Sequence, residues 1–165
     1  MIGKNDLLRW LKSLDKKIEK KIEIIAVGGT AMTLLNLKSS TVDVDFCIKS
    51  NEKKHFEKII GSHFKVDIFT DGYIFSEQLP PDYAEKSKEI IKMKNITLKA
   101  LSPADIIITK AARFNARDEE DIESLSRHVG KSELIKRFGS VVKSYSGRED
   151  EYRHHMKIIL KRFFR

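Results

Sequence analysis

The chain has 165 residues, 41% of them apolar, with 32 basic against 24 acidic side chains and a formal charge of +8. That length suits a small α/β unit with a helical appendage and can bury a real core, while the longest apolar runs ("IIAV", "IIIT") are far too short to span a bilayer. A single cysteine, Cys47, excludes an intramolecular disulfide and a cysteine-based zinc site and favours a cytoplasmic home, and the positive balance favours polyanionic partners.

The opening "MIGKNDLLRWLKSLDKK" is basic and amphipathic but has no uninterrupted apolar stretch and no small-residue cleavage site, so no signal peptide is expected. Residues 6–20 read as a helix that Asp6 can cap, with Leu7, Leu11, Leu14 and Ile18 at helical spacing. "IEIIAV" (22–27) reads as a buried strand ended by Gly28-Gly29. "TAMTLLNL" then reads as a short helix and "TVDVDFCIK" (41–49) as a second strand. "NEKKHFEKIIG" is a helix with Asn51 as cap and Gly61 as stop. "FKVDIFT" (64–70) is a third strand, and "YIFSEQLPPDY" is irregular around Pro80-Pro81. "EIIKMKNITLKAL" holds two strand-like pieces turning at Lys94-Asn95.

After Leu101 the texture changes. Ser102, Pro103 and Asp105 make a compact helix start. Four helical pieces follow, at 103–114, 118–128, 132–145 and 149–164, with Asp118 and Asp121 placed to cap the second. Tyr152, Met156, Ile159 and Phe163 fall on one face of the last. The expected fold is α/β in the α+β sense. A small mixed sheet with flanking helices fills residues 1–101, and a helical subdomain fills 102–165.

The chemistry begins in "STVDVDF". Side chains alternate faces along a strand, so Val42, Val44 and Phe46 are expected to face the core while Asp43 and Asp45 share the other side. Two carboxylates about 7 Å apart repel unless a cation sits between them, and a hard divalent ion suits such oxygen donors. "KVDIFT" repeats the pattern with Asp67 opposite Val66 and Ile68. If the two strands are neighbours, three acids converge on one patch suited to metal-assisted phosphoryl chemistry. Upstream, Gly28-Gly29-Thr30 lets backbone approach a ligand and precedes a helix N-terminus; a tight turn would explain the glycines equally well. Lys110 lies one turn after Ile106 and one before Phe114 on an apolar face, where a lysine snorkels to water or meets an anion.

The order strand, G-G-T, short helix, strand with D-x-D, strand with a single Asp resembles the nucleotidyltransferases of the DNA polymerase β superfamily. It is carried by "VGGTAMTLLNLKSSTVDVDF" and "FKVDIFT". "LSPADIIITKAARFNARDEEDIESL" is similar to the helical region of the AbiEii-type toxin transferases and their prokaryotic relatives. The resemblance implies that Gly28, Gly29 and Thr30 hold the triphosphate of an NTP. It implies that Asp43 and Asp45 bind Mg2+ or Mn2+, that Asp67 completes the metal site and orients or deprotonates the attacking hydroxyl, and that Lys110 contacts phosphate. It departs at Ser39, where relatives often carry an arginine. For the acceptor, an RNA such as tRNA fits the positive charge and the basic ends of the chain, and a protein hydroxyl fits the toxin-like resemblance; the short helical tail leaves little room for an extensive RNA-binding surface, which points to a homodimer or a partner chain. The alternative is a catalytically silent binding module or an antitoxin-like regulatory partner.

Overall fold

A computed structural model describes residues Met1–Arg165. In chain order the elements are β1 (Ile2–Gly3), α1 (Lys4–Asp15), β2 (Ile22–Ala26), α2 (Gly28–Leu34), β3 (Ser40–Thr41), β4 (Val44–Ile48), α3 (Lys53–Ile59) and β5 (Val66–Thr70). There follow β6 (Tyr73–Ile74), β7 (Glu77–Gln78), α4 (Tyr83–Lys86), β8 (Lys88–Lys92), β9 (Ile96–Ala100), α5 (Pro103–Arg113), α6 (Ala116–Ser126), α7 (Lys131–Val141) and α8 (Glu149–Phe163). The fold is α+β with a mixed sheet, and no helix is long and apolar enough to cross a membrane. The chain forms two compact units, Met1–Asp71 with Ala84–Leu101, and Gly72–Tyr83 with Ser102–Arg165.

In the first unit five strands run in the order β5-β4-β2-β9-β8. β4 pairs with β5 and β2 with β9 in parallel, whereas β2–β4 and β8–β9 are antiparallel. The hairpin expected at Lys94-Asn95 is present. Asp15 fastens it, its carboxylate accepting the N–H groups of Asn95 at 2.8 Å and Ile96 at 2.7 Å. Helix α1 buries Leu7, Leu11, Leu14 and Trp10. Trp10 stacks on Phe46 at 6.2 Å and meets Phe64 edge-on at 5.2 Å, and Phe56 meets Phe46 edge-on at 6.2 Å.

Three boundaries differ from the sequence reading. Helix α1 starts at Lys4 and stops at Asp15, with Asp6 inside its first turn, its carboxylate accepting the Gly3 N–H at 3.1 Å. A 3-10 turn at Ser50–Glu52 precedes α3, so Asn51 is no cap, although Gly61 ends the helix region as expected with φ +63°. Strand β4 begins only at Val44; Val42 is 67% exposed, so the alternation stops short of the core there.

The second unit opens with the β6–β7 hairpin, hidden in the stretch read as irregular. Ser102 caps α5 as expected, accepting the Asp105 N–H at 3.3 Å. The cap of α6 is Asn115, not Asp118. Asn115 and Asp118 exchange side-chain-to-backbone bonds at 3.0 and 3.1 Å. Arg137 is gripped by both oxygens of fully buried Asp105, at 2.6 and 2.8 Å, and reaches Asp82 at 3.1 Å. On α8, Tyr152, Met156 and Ile159 are buried, and the Tyr152 hydroxyl donates to the Ile108 carbonyl at 2.8 Å.

Breaking the Arg137 pair by Asp105→Ala strands a charge with little access to water. Denaturant unfolding is expected to register a loss of about 3–5 kcal/mol. Glu77, on β7, is 2% exposed, and burial pushes its carboxyl up from 4.5 to about 7 against the opposing pull of the Ser76 N–H and of Arg113. Between those two values the folded chain holds a proton that the unfolded chain releases, so stability falls as pH rises through that window. Glu77→Gln keeps the shape without the charge. Calorimetry should find its melting temperature above wild type at pH 8, with the gap closing towards pH 5.

Candidate active site

Strand β4 carries Asp45 into the site and β5 carries Asp67. The parallel register pairs Val44 with Val66, Asp45 with Asp67 and Phe46 with Ile68. The two acids therefore stand side by side, with backbones about 4.8 Å apart, and point to the same face of the sheet. On the other face Val44 and Phe46 are fully buried. Asp43 lies one step before the ladder, in a bend, and its half-buried carboxylate faces Lys65 Nζ at 3.8 Å.

The glycine pair lies under this row. Helix α2 begins at Gly28 itself, so the glycines form its first turn rather than a loop before it. Gly28 has φ +54°, a region that favours glycine. A Cβ built there would lie 3.5 Å from Asp45 Oδ2, so that carboxylate rests over the open side of Gly28. A Cβ on Gly29 would come within 2.9 Å of Thr41 Oγ1. The fold itself thus requires both glycines. The first turn of a helix also has backbone N–H groups without intrahelical acceptors.

Thr30 is fully buried. Its hydroxyl donates to the Asp43 carbonyl at 3.2 Å and accepts the Asp45 N–H at 3.0 Å. Val27 N–H donates to the Asp45 carbonyl at 3.0 Å, so α2 and the start of β4 are tied at three points. Cys47, with the parity of Asp45, is 1% exposed and fills the core. Ser39 is exposed beside Lys38, and both line a shallow pocket of about 380 Å3 with Lys4 and Asn36.

Lys110, in the second unit, meets carboxylates of that same unit. Its Nζ lies 2.8 Å from Asp121 Oδ2 and 3.6 Å from Asp118 Oδ1, and the residue is 7% exposed. Burial alone would raise the Asp118 carboxyl. The Arg113 fork at 2.7 and 2.8 Å, the Asn115 N–H and Lys110 outweigh it and hold Asp118 below the ordinary carboxylate range. The lysine on an apolar face has found its anion within its own helical unit.

No three His, Cys, Asp or Glu side chains stand close enough to form a metal cage from the protein alone. The donor set still suits Mg2+ or Mn2+. Such ions are held by one or two carboxylates, with waters and substrate phosphates completing the octahedron. Asp45 and Asp67 supply that minimum. Two residues of the site escaped the sequence reading. Thr41, which donates to the Asp43 carbonyl at 2.9 Å, sits two positions before that acid, where a hydroxyl often bonds its own turn. Lys65 precedes Asp67 by two, the spacing that shares a strand face.

Neither the curated proteins nor the solved structures hold a match to the chain. The family described as "Nucleotidyltransferase of unknown function (DUF6036)" matches residues 6–162, nearly the whole chain, including Gly28, Gly29, Thr30, Asp43, Asp45, Asp67 and Lys110. With the D-x-D strand, its acidic neighbour and the diglycine turn inside that match, the chain belongs to this nucleotidyltransferase family.

Proposed function

We propose that the chain is an Mg2+-dependent nucleotidyltransferase that moves a nucleoside monophosphate from an NTP to a hydroxyl acceptor. The acceptor oxygen bonds to the α-phosphorus, the bond to the bridging oxygen breaks, and pyrophosphate leaves. The observation that carries the reading is the register that sets Asp67 beside Asp45, whose carboxylate rests over Gly28. Paired acids repel phosphate unless a cation intervenes, so a pure anion binder gains nothing from them.

Asp45 and Asp67, with Asp43 at their edge, would hold the ion. When bound, it neutralises charge on the transferring phosphate. Asp67 is exposed and can take or orient the acceptor proton. Gly29, the half-buried member of the G-G-T run, would offer its backbone N–H to phosphate, while buried Gly28 and Thr30 carry the acids above them. Lys65 is the cation nearest Asp43 and is free to swing to a substrate phosphate. Catalysis is then largely positioning and charge neutralisation. An RNA such as tRNA fits the charge of +8, and a protein hydroxyl fits the toxin-like resemblance. A second copy or a partner chain would extend the surface that receives either.

A second reading is a catalytically silent module that holds nucleotide in an antitoxin-like or regulatory role. One observation favours it: Lys110, assigned to phosphate by resemblance, is already ion-paired with Asp121 and Asp118. Calorimetric titration of each NTP with and without Mg2+ separates the two. The enzyme requires Mg2+ for tight binding, whereas the module binds equally well without it.

Incubation with Mg2+, each labelled NTP, and total cellular RNA and protein identifies the base and the acceptor together. Asp45→Asn and Asp67→Asn are each expected to lower label transfer by about 10²-fold or more while leaving the melting temperature close to wild type. Wild-type transfer by either variant removes that residue from the chemistry. Asp43→Asn should also abolish transfer without unfolding the chain, and unaltered transfer there would remove Asp43 from the ligand set.

A further inference from the structure

Two hydroxyls converge on a single peptide unit. The Asp43 carbonyl accepts from Thr30 Oγ1 at 3.2 Å and from Thr41 Oγ1 at 2.9 Å, and Thr30 Oγ1 accepts the Asp45 N–H at 3.0 Å. Each hydroxyl has one proton, and both protons are spent on the same oxygen. Thr30 is fully buried and Thr41 is 8% exposed. Asp43 lies outside the strand ladder, between exposed Val42 and the first ladder residue Val44, whose N–H donates to the Lys65 carbonyl at 3.1 Å. The bend carrying Asp43 is therefore held chiefly by the two threonines.

We propose that Thr30 and Thr41 form a hydroxyl clamp that sets Asp43 and Asp45 at the mutual angle a divalent ion demands, which makes both threonines positioning residues for nucleotidyl transfer. The proposal rests on the metal-dependent reading above. An ion with near-octahedral demands tolerates little error in ligand direction, and a carboxylate on a free bend sweeps through many directions. The clamp removes that freedom. β-branching makes each threonine stiff at χ1, so the hydroxyl direction is set by the backbone that carries it. One backbone is the diglycine helix and the other is β3, held in register with β1 through Ile2–Thr41 and Gly3–Ser40. Gly29 adds the steric condition, since a Cβ there would strike Thr41 Oγ1. The sequence signature is G-G-T followed by T-x-D-x-D, in which the two threonines and the second glycine act on one carbonyl.

The test uses the full chain, with Mn2+ as the probe, titrated against the paramagnetic signal of the free ion. Thr30→Val and Thr41→Val keep the shape and remove the hydroxyl; Thr30→Ser and Thr41→Ser keep it. The valine variants are expected to bind Mn2+ about 10- to 100-fold more weakly, and the serine variants within about 3-fold of wild type, the size of effect usual for groups that orient metal ligands. A purely structural role would lower the melting temperature without changing Mn2+ affinity in the folded protein. Thr30→Val also removes the hydroxyl that accepts the Asp45 N–H. Should it fail to fold, Thr41→Val, which removes only a donor, decides alone. A folded Thr41→Val that binds Mn2+ as wild type does overturns the clamp and leaves the enzymatic reading standing. Wild-type protein whose Mn2+ uptake is nil, or is unaffected by Asp45→Asn, overturns both.

Discussion

Two carboxylates held shoulder to shoulder on neighbouring parallel strands are the constraint from which the rest of this site follows. Like charges about 5 Å apart repel by roughly 1 kcal/mol in bulk water and by several times that as the dielectric falls. The chain cannot relieve this by sliding β5 past β4. A one-residue slip would turn Val66 and Ile68 out of the face they share with Val44 and Phe46. Phe46 is locked between Trp10 and Phe56. Apolar packing on one face of the sheet thus holds the two acids side by side on the other.

The two units handle charge in opposite ways. In the second, the buried cations Arg137 and Lys110 are held in closed circuits. Arg137 sits between Asp105 and Asp82, while Lys110 and Arg113 share Asp118, with Lys110 also bound to Asp121. Such networks have every strong donor or acceptor facing a partner, and they fix one arrangement of the helices. In the first unit, Asp67 is exposed and Asp43 has a single flexible lysine at 3.8 Å. Satisfied charges hold the helical unit together. Charges left open to water are available to a substrate.

Much of this was legible in the sequence because the signals were local. The Ser102-Pro103 start, the four helices after it and the turn at Lys94-Asn95 all rest on spacing within a few residues, whereas the convergence of the D-x-D strand with "KVDIF" is expected only on condition that the two strands pair. Periodicity fails where a pattern continues but its partner strand does not. "TVDVDF" alternates from residue 41, yet the β4 ladder starts at Val44, so Val42 is exposed and Asp43 is on a bend. The β6–β7 hairpin was masked by the prolines that follow it. Asp118 stands three residues after Asn115, and the N-x-x-D box they form makes Asn115 the cap and Asp118 its partner. Thr41 and Lys65 each stand two residues before an acid, but only the β1–β3 pairing and the β4–β5 register place them at the site.

The diglycine-threonine run is where resemblance and geometry part most clearly. Resemblance assigns all three residues to triphosphate, which treats them as a ligand-facing surface. The structure gives each a prior duty inside the protein: Gly28 for its positive φ beneath Asp45, Gly29 for clearance from Thr41, and Thr30 for its bridge between Asp43 and Asp45. Those duties leave Gly29, the half-buried residue of the run, as the one whose main-chain N–H is accessible, and a backbone donor places no demand on side-chain identity. The side-chain identities therefore have to be explained by the acids. A motif that looks like a phosphate loop is, in its side chains, the mounting of the carboxylates above it.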